Sequence, residues 1–330
     1  MIITRTPYRI SFFGGGSDFP EHYRECGGRV IAAAINKYCY ISLRKLPPFF
    51  AHHDRIVWSE VENVRSCEEI HHPAVRAVLK EYRLPFGVSM THDGDIPARS
   101  GIGSSSAFTV GLLHAVETIL GHEPSQRELA DRAIELERDR IGETVGCQDQ
   151  ITSAFGGFNV IEFLRGGGYN VLPLNLKKER LALLTKHLLL VFSGVSRISS
   201  EVAKEQFSRI DRNRDALNEL AAMAAEAGEV LAGDGDLEDF GRMLDDSWRI
   251  KRSLSDRISN DHLDGMYAAA RNAGALGGKV LGAGSGGFLL FFVPPERHGR
   301  VIEALRCRIS IPVEFDFRGS IVAYNDYGEI

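Results

Sequence analysis

Apolar and polar positions recur along this chain with two different periods. Met1 to Phe13 alternates loosely and is rich in β-branched and aromatic residues, which predicts a strand. Gly28 to Leu46 and Phe86 to Thr91 predict two more, with a helix over Pro73 to Tyr82 between them. Phe108, Leu112, Ala115, Val116, Ile119 and Leu120 then follow helical spacing, with Gly121 as the stop. Ser125-x-x-Glu128 is a capping-box pattern ahead of a helix over Gln126 to Arg138, whose buried stripe is Leu129, Ala133 and Leu136. Gly142 to Gly157 encloses a short helix between glycine stops, and Phe158 to Phe163 reads as a strand before the turn Gly166-Gly167-Gly168.

Around Leu181 the character changes. His187 to Phe192 is a continuous apolar run, as in a strand buried on both faces, and Ser193 to Arg197 is a loop. Helical spacing then extends to about Ile258, broken at Gly233-Asp234-Gly235. Pro295 to Cys307 predicts a helix and Ile311 to Phe317 a closing strand. The change of character places a domain boundary within 175–186, hence domains over 1–180 and 181–330.

Three glycine-rich segments interrupt these elements. The segment D-I-P-A-R-S-G-I-G-S-S-S-A-F (95–108) joins Pro97, Gly101, Ile102, Gly103 and the serines 104, 105 and 106 to the start of a helix. Free N–H groups and the helix dipole make such a junction an anion site, and the hydroxyls can serve phosphate oxygens or a hard cation. An ordinary loop with an N-cap is the plainer alternative. No Gly-Lys-Ser/Thr follows at P-loop spacing, so this is a phosphate loop of another kind.

Gly14-Gly15-Gly16-Ser17-Asp18 ends the first strand, either as a ligand-approaching turn or as a tight hairpin with an Asx motif. Arg9, in an otherwise apolar strand, requires a carboxylate or phosphate partner if buried. Glu137 sits near a helix end, where the dipole disfavours a carboxylate; it is either a solvated side chain or a cation ligand. Asp149 falls in a first turn, where the dipole favours its ionised form. Gly282, Gly284 and Gly287 match a dinucleotide fingerprint, but they run into the strand-like Phe288 to Val293 and not into a helix. A nicotinamide dehydrogenase is therefore disfavoured, and a turn packing backbone-first on another glycine loop fits better.

Composition narrows the classes. The chain has 330 residues, is 44% hydrophobic and 25% charged, and carries a formal net charge of −5, which argues against a general nucleic-acid binder. Five scattered cysteines without a C-x-x-C suit reduced thiols in a cytoplasm. No signal peptide is evident, and no apolar run approaches the roughly 20 residues that span a bilayer. The adjacent histidines 52–53 and 71–72 lack further ligand spacing and read as surface or edge residues.

Three segments carry a family resemblance: P-Y-R-I-S-F-F-G-G-G-S-D-F-P (7–20), P-A-R-S-G-I-G-S-S-S-A (97–107) and K-V-L-G-A-G-S-G-G-F (279–288). In this order, over nearly the whole chain, they resemble the galactokinase, homoserine kinase, mevalonate kinase and phosphomevalonate kinase (GHMP) superfamily. The G-G-G-S-D-F-P form, together with V-G-C-Q-D-Q (145–150), is similar to the bacterial D-glycero-D-manno-heptose 7-phosphate kinases. Gly15-Gly16-Ser17 departs from the Gly-Glu-His-Thr-Asp form of galactokinases.

The resemblance implies a two-domain α+β kinase with a left-handed βαβ unit in its N-terminal domain and a ferredoxin-like C-terminal domain. It implies ATP on the serine loop, Mg²⁺ held by Ser105 (or Ser104) and Glu137, and Asp149 as the catalytic aspartate with Arg9 as its basic partner. It further implies sugar contacts from Gly14, Gly15, Gly16, Ser17 and Asp18, and an approach to the acceptor by Gly284, Ser285 and Gly286. The expected partner is a small sugar or sugar phosphate, with no nucleic acid or membrane; a homodimer is left open. For a 7-phosphate the candidate cations are Arg249, Lys251 and Arg252 on a predicted helix, Arg197 in a loop, and Arg99 in the serine loop. An inactive sugar and ATP sensor on the same fold is the alternative from another class.

Overall fold

The computed structural model describes residues 1–195, 199–306 and 309–327, and side chains throughout these except at 199–201. Its strands are β1 (Ile2–Phe13), β2 (Gly28–Leu46), β3 (Asp54–Val57), β4 (Val61–Val64), β5 (Gly87–Gly94), β6 (Phe158–Phe163), β7 (Tyr169–Pro173), β8 (Leu188–Phe192), β9 (Gly277–Val280), β10 (Phe288–Phe292), β11 (Ser310–Ile311) and β12 (Ile321–Asn325). Its α-helices are α1 (Pro20–Cys26), α2 (Pro73–Tyr82), α3 (Ser104–Ile119), α4 (Gln126–Glu135), α5 (Gln148–Phe155), α6 (Lys178–His187), α7 (Ser199–Ser208), α8 (Arg214–Ala232), α9 (Glu238–Ser253), α10 (Asp261–Ala273) and α11 (His298–Leu305).

The strands form two sheets. In the first, the order is β12-β1-β2-β5-β3-β4, with β6 and then β7 continuing from β2. The long β2 makes this branching possible: residues 28–33 pair with β6, while residues 39–46 pair with β5. Helix α3 lies against β1, close enough that Thr4 Oγ1 donates to the Gly111 carbonyl at 2.9 Å. A β-carbon on Gly111 would stand 2.9 Å from Thr6 Oγ1, so a glycine permits this approach.

The second sheet is antiparallel in the order β11-β8-β10-β9. Its two faces serve two cores, which explains the unbroken apolar runs of β8 and β10. Leu189, Val191, Leu289 and Phe291 pack with Trp248, Leu263 and Val301 of the helices on one side. Leu188, Leu190, Leu290 and Phe292 pack on the other side with the residues of the first sheet. There Phe240 of α9 contacts the rings of Phe12, Phe13 and Phe292 at centroid distances of 5.7, 5.1 and 6.2 Å.

Several boundaries differ from the sequence reading. The helix from Gln126 stays α-helical only to Glu135 and continues as a π-turn over Leu136–Ile141, ended by Gly142 in the left-handed region (φ 79°). The helical stretch expected up to about Ile258 is broken at 209–213 as well as at 233–237. The closing strand expected over Ile311 to Phe317 is not one strand. Ser310–Ile311 pairs briefly with β8, Pro312 supplies no N–H to extend that ladder, and the chain crosses to the first sheet. Phe315 bridges Ile35, and β12 closes the edge of β1. Cys307, the expected end of the last helix, lies outside the described residues, as does Arg197; α11 ends at Leu305.

Candidate active site

Strand β1 delivers Arg9. Its register with β2 shifts between Pro7 and Arg9, an irregularity of the kind that re-aims a side chain. Arg9 is buried, and its Nε and Nη2 donate to Asp149 Oδ1 and Oδ2 at 2.7 and 2.6 Å. This two-pronged pair fixes both groups in one plane. The third prong, Nη1, donates to the Gly101 carbonyl at 2.7 Å, and the Arg9 N–H donates to the Ile102 carbonyl at 3.0 Å. One arginine thus ties the first strand, the serine loop and the first turn of α5 together. The Asp149 side chain keeps 25% of its surface exposed, against 4% for Arg9, so the pair has one wet face.

The serine loop enters α3 through Gly103, which holds the N-cap position at φ 73° with no side-chain cap. The first-turn N–H groups over 104–106 therefore lack a side-chain acceptor and can receive an anion. A β-carbon on Gly103 would stand 3.0 Å from Arg9 Cγ and 3.4 Å from Asp149 Oδ2, so an anion at this helix start abuts the Arg9–Asp149 pair. Pro97, Ala98 and Arg99 of the same loop are exposed, and Arg99 adopts φ 63°.

Glu137 comes from the π-turn. Four residues beyond Ala133, it continues that helix's inward face and is 1% exposed, so it is not a solvated surface glutamate. Oε2 accepts from Ser106 Oγ at 3.0 Å and from Gln150 Nε2 at 2.5 Å, while Oε1 is buried with no hydrogen-bond partner among the described residues. Burial, and then the nearby Glu143 carboxylate, push its pKa up to about 7. The serine facing it is Ser106; Ser105 is exposed, and Ser104 is half-buried. A buried carboxylate with an orphaned oxygen beside a hydroxyl fits a hard divalent cation that also takes phosphate oxygens. Among the described residues no group of three or more His, Cys, Asp or Glu could hold a metal by itself. His72 instead caps α2 and stacks on Phe108 at 4.4 Å.

The turn after β1 is fixed by its own aspartate. Asp18 Oδ1 accepts from the Gly16 N–H at 2.8 Å, and Oδ2 accepts from the Gln148 N–H at 3.2 Å. Ser17 Oγ donates to the Gly14 carbonyl at 2.8 Å. Gly14 itself packs on the backbone of Arg29, where a β-carbon would collide with the carbonyl oxygen at 1.9 Å.

The third glycine segment meets the serine loop backbone to backbone. The Phe288 N–H donates to the Ser100 carbonyl at 3.0 Å, and a β-carbon on Gly287 would stand 2.3 Å from that same oxygen. Gly284, Ser285 and Gly286 are held from the other side: the Ser285 N–H donates to the Ile258 carbonyl at 2.9 Å, its hydroxyl to the Arg257 carbonyl, and Gly286 packs on Val195.

Of the cations offered for a 7-phosphate, Arg249 is paired with Asp245 (2.6 Å) and Asp246 (3.7 Å), and Arg252 with Asp264 (2.6 Å). Lys251 points inward: its Nζ donates to the Gly15 carbonyl and to Gln206 Oε1, each at 3.0 Å. Lys279, which sequence reasoning passed over, is also buried and donates to the Phe12 carbonyl at 2.9 Å. It lies in β9 among four consecutive buried residues, a burial that the run Gly277-Gly278-Lys279 does not announce in sequence.

An uncapped helix start able to hold phosphates, a carboxylate fixed to receive a hydroxyl, and an arginine spanning both are the parts of a phosphotransferase. The chain belongs to the GHMP kinases: residues 69–157 match the GHMP kinases N terminal domain and residues 212–310 the GHMP kinases C terminal. It is 29% identical to the D-glycero-alpha-D-manno-heptose 7-phosphate kinase of Campylobacter jejuni subsp. jejuni serotype O:2, over 96% of both chains. It is 25% identical to the mevalonate kinase of Thermococcus sibiricus, over 94% of this chain and 95% of that one. The crystal structure of a D-glycero-D-manno-heptose 1-phosphate kinase from Bacteriodes thetaiotaomicron superposes with a TM-score of 0.79 at 26% identity, covering 97% of this chain and 98% of that one. The two-domain α+β fold expected from sequence is thereby established. No helix among the described residues is long and apolar enough to cross a membrane.

Proposed function

We propose that this chain is an ATP-dependent sugar kinase. It transfers the γ-phosphoryl group of ATP to the anomeric hydroxyl of D-glycero-D-manno-heptose 7-phosphate, giving the 1,7-bisphosphate. The observation that carries the transfer is the Arg9–Asp149 pair lying against Gly103 at the start of α3. Similarity over 96% of the chain to a heptose 7-phosphate kinase supports the acceptor, and similarity over 97% to a heptose 1-phosphate kinase supports the sugar.

In this reading the N–H groups over 104–106 hold the donor phosphates. Asp149 orients the acceptor hydroxyl and takes its proton as the oxygen attacks, while Arg9 holds the Asp149 carboxylate in place through two hydrogen bonds and faces the charge on the moving phosphoryl. Transfer of this kind passes through a loose transition state, so positioning and charge neutralisation supply most of the catalysis. Glu137 and Ser106 are the residues that would hold Mg²⁺, whose chemistry is to neutralise the donor phosphate oxygens. Asp18 and the 14–17 turn meet the sugar.

One observation favours a second reading. Arg249 and Arg252 already have carboxylate partners, which weakens the case for a dianion-binding pocket on α9 and favours an unphosphorylated sugar. The test compares kcat/KM, by ADP release, for heptose 7-phosphate, the neutral heptose, mannose and fucose. Two charge-assisted contacts at about 1.5–3 kcal/mol each favour the phosphorylated sugar by roughly 10²-fold or more. A neutral sugar that wins this comparison overturns the first acceptor and keeps the kinase.

A further inference from the structure

Two ammonium groups lie buried behind the glycine turn without an ion-pair partner among the described residues. Lys251 comes from the last turn of α9 and Lys279 from β9, both in the second half of the chain. Each donates to a main-chain carbonyl of the first half: Lys251 to Gly15, Lys279 to Phe12. Burying a charge this way is costly, and an apolar side chain would fill the same space without that cost. Lys251 also engages Gln206 of α7, whose Nε2 donates to the Ala283 carbonyl at 2.8 Å. A continuous path of hydrogen bonds therefore runs from the Gly15 carbonyl through Lys251 and Gln206 to the third glycine segment.

We infer that Lys251 and Lys279 are positioning residues for the acceptor: a two-lysine clamp that sets the depth of the Phe12–Asp18 turn and, through Gln206, couples it to the 282–287 turn. The inference rests on the kinase reading for its catalytic consequence, but not for the clamp itself. Neither lysine touches a reacting atom. Each acts through the turn that carries Asp18, whose carboxylate in turn holds the Gly16 and Gln148 N–H groups. Substrate contact by the turn depends on a backbone that glycine alone leaves loose; Gly16, at φ 111°, has Lys251 Nζ 3.3 Å from where its β-carbon would be.

The clamp is strongest when charged, because a charge-assisted donor makes about twice as strong a bond as a neutral one. Around Lys251 Nζ stand Asp18 and the Gly15 carbonyl from the turn, Gln206 from α7, and Lys279 from β9, with Arg9 beyond Lys279. Burial lowers Lys251 to about 8, against a partial counter-effect of Asp18. Burial, then Lys251 and Arg9, lower Lys279 to about 7.

The experiment uses Lys251→Met and Gln206→Glu in the full chain. With heptose 7-phosphate or the best neutral sugar, Lys251→Met raises the acceptor KM by roughly tenfold or more, the factor for one charge-assisted bond, and leaves the ATP KM within about twofold. In the wild type the acceptor KM climbs as the two lysines lose their charge, from about pH 7 to above about pH 8. The part of that limb above about pH 8 moves to higher pH in Gln206→Glu, which brings a carboxylate to Lys251, and is lost in Lys251→Met. Hydrogen exchange across residues 12–18 reads the clamp without catalysis: Lys251→Met exchanges these amides faster. Unchanged exchange, or a pH profile of the acceptor KM in Lys251→Met identical to that of the wild type, overturns the clamp. Faster exchange in a protein that phosphorylates no sugar leaves the clamp standing and overturns the kinase reading.

Discussion

Gly101 and Gly282 meet with no side chain between them: a β-carbon on Gly282 would stand 2.9 Å from the Gly101 α-carbon, and one on Gly101 would stand 2.6 Å from the Leu281 carbonyl oxygen. Both residues have positive φ, at 83° and 72°. Here the donor loop of the first half of the chain rests on the second half. Gly282→Ala therefore adds a backbone collision to a left-handed strain of about 1–3 kcal/mol. We predict a fall of at least that size in urea unfolding free energy and a raised KM for ATP. A Gly282→Ala protein with wild-type stability and ATP affinity would show that the two loops are not in contact.

In the proposed mechanism Asp149→Asn removes the proton acceptor and keeps the shape. We predict that ATP binding by calorimetry stays within about twofold while kcat falls on the order of 10²–10⁴, the range for a positioned acid–base group. A loss confined to the KM for ATP assigns Asp149 to the donor instead.

Ser106, and not its exposed neighbour Ser105, is hydrogen-bonded to Glu137. We predict that Ser106→Ala increases the Mg²⁺ concentration needed for half-maximal ADP release by about tenfold, the worth of one charge-assisted contact. Ser105→Ala should change it by less than about threefold. The reverse order moves the metal to the outer face of the helix start.

Glu137 must ionise to take a cation, and its folded pKa is raised from 4.5 to about 7. The unfolded chain therefore loses this proton first as pH rises, so this group lowers the stability of the metal-free protein progressively from about pH 4.5 to pH 7 and keeps it lowered above that. Metal affinity runs the other way, gaining about tenfold per pH unit up to about 7 because binding displaces one proton. Glu137→Gln flattens both profiles and raises the Mg²⁺ requirement. Thermal unfolding with and without Mg²⁺ from pH 5 to pH 8 checks both, and a flat wild-type profile sinks the assignment.

The elements with a strong local signal were legible in the sequence. β1, β2 and α2 begin and end within a residue or two of their predicted limits, and the capping box at Ser125 and Glu128 forms with both bonds in place. What local pattern could not supply was long-range. Lys251 read as one of three basic residues on a helix face, yet Arg249 and Arg252 turn to carboxylates on their own and a neighbouring helix, while Lys251 turns to Gly15, 236 positions away. Glu137 was ambiguous because a π-turn and a solvated helix end share the same sequence signature. Its spacing of four from Ala133 was the available hint. The closing strand was misplaced because Ile311 to Phe317 is apolar enough to be a strand, and only the pairing of β12 with β1 shows where the chain goes next.

That last pairing sets an order of events during synthesis. The segments carrying Arg9, Glu137, Asp149 and all three glycine turns have been made by residue 288, yet β1 keeps an open edge until Ile321–Asn325 emerges and pairs with it. Throughout translation of the second half, the strand that carries Arg9 is an unpaired template of the kind that recruits other chains. Phe12 and Phe13 at its far end likewise wait for Phe240 and Phe292. A ribosome stalled anywhere before residue 321 therefore holds Arg9, Glu137 and Asp149 on an unfinished sheet.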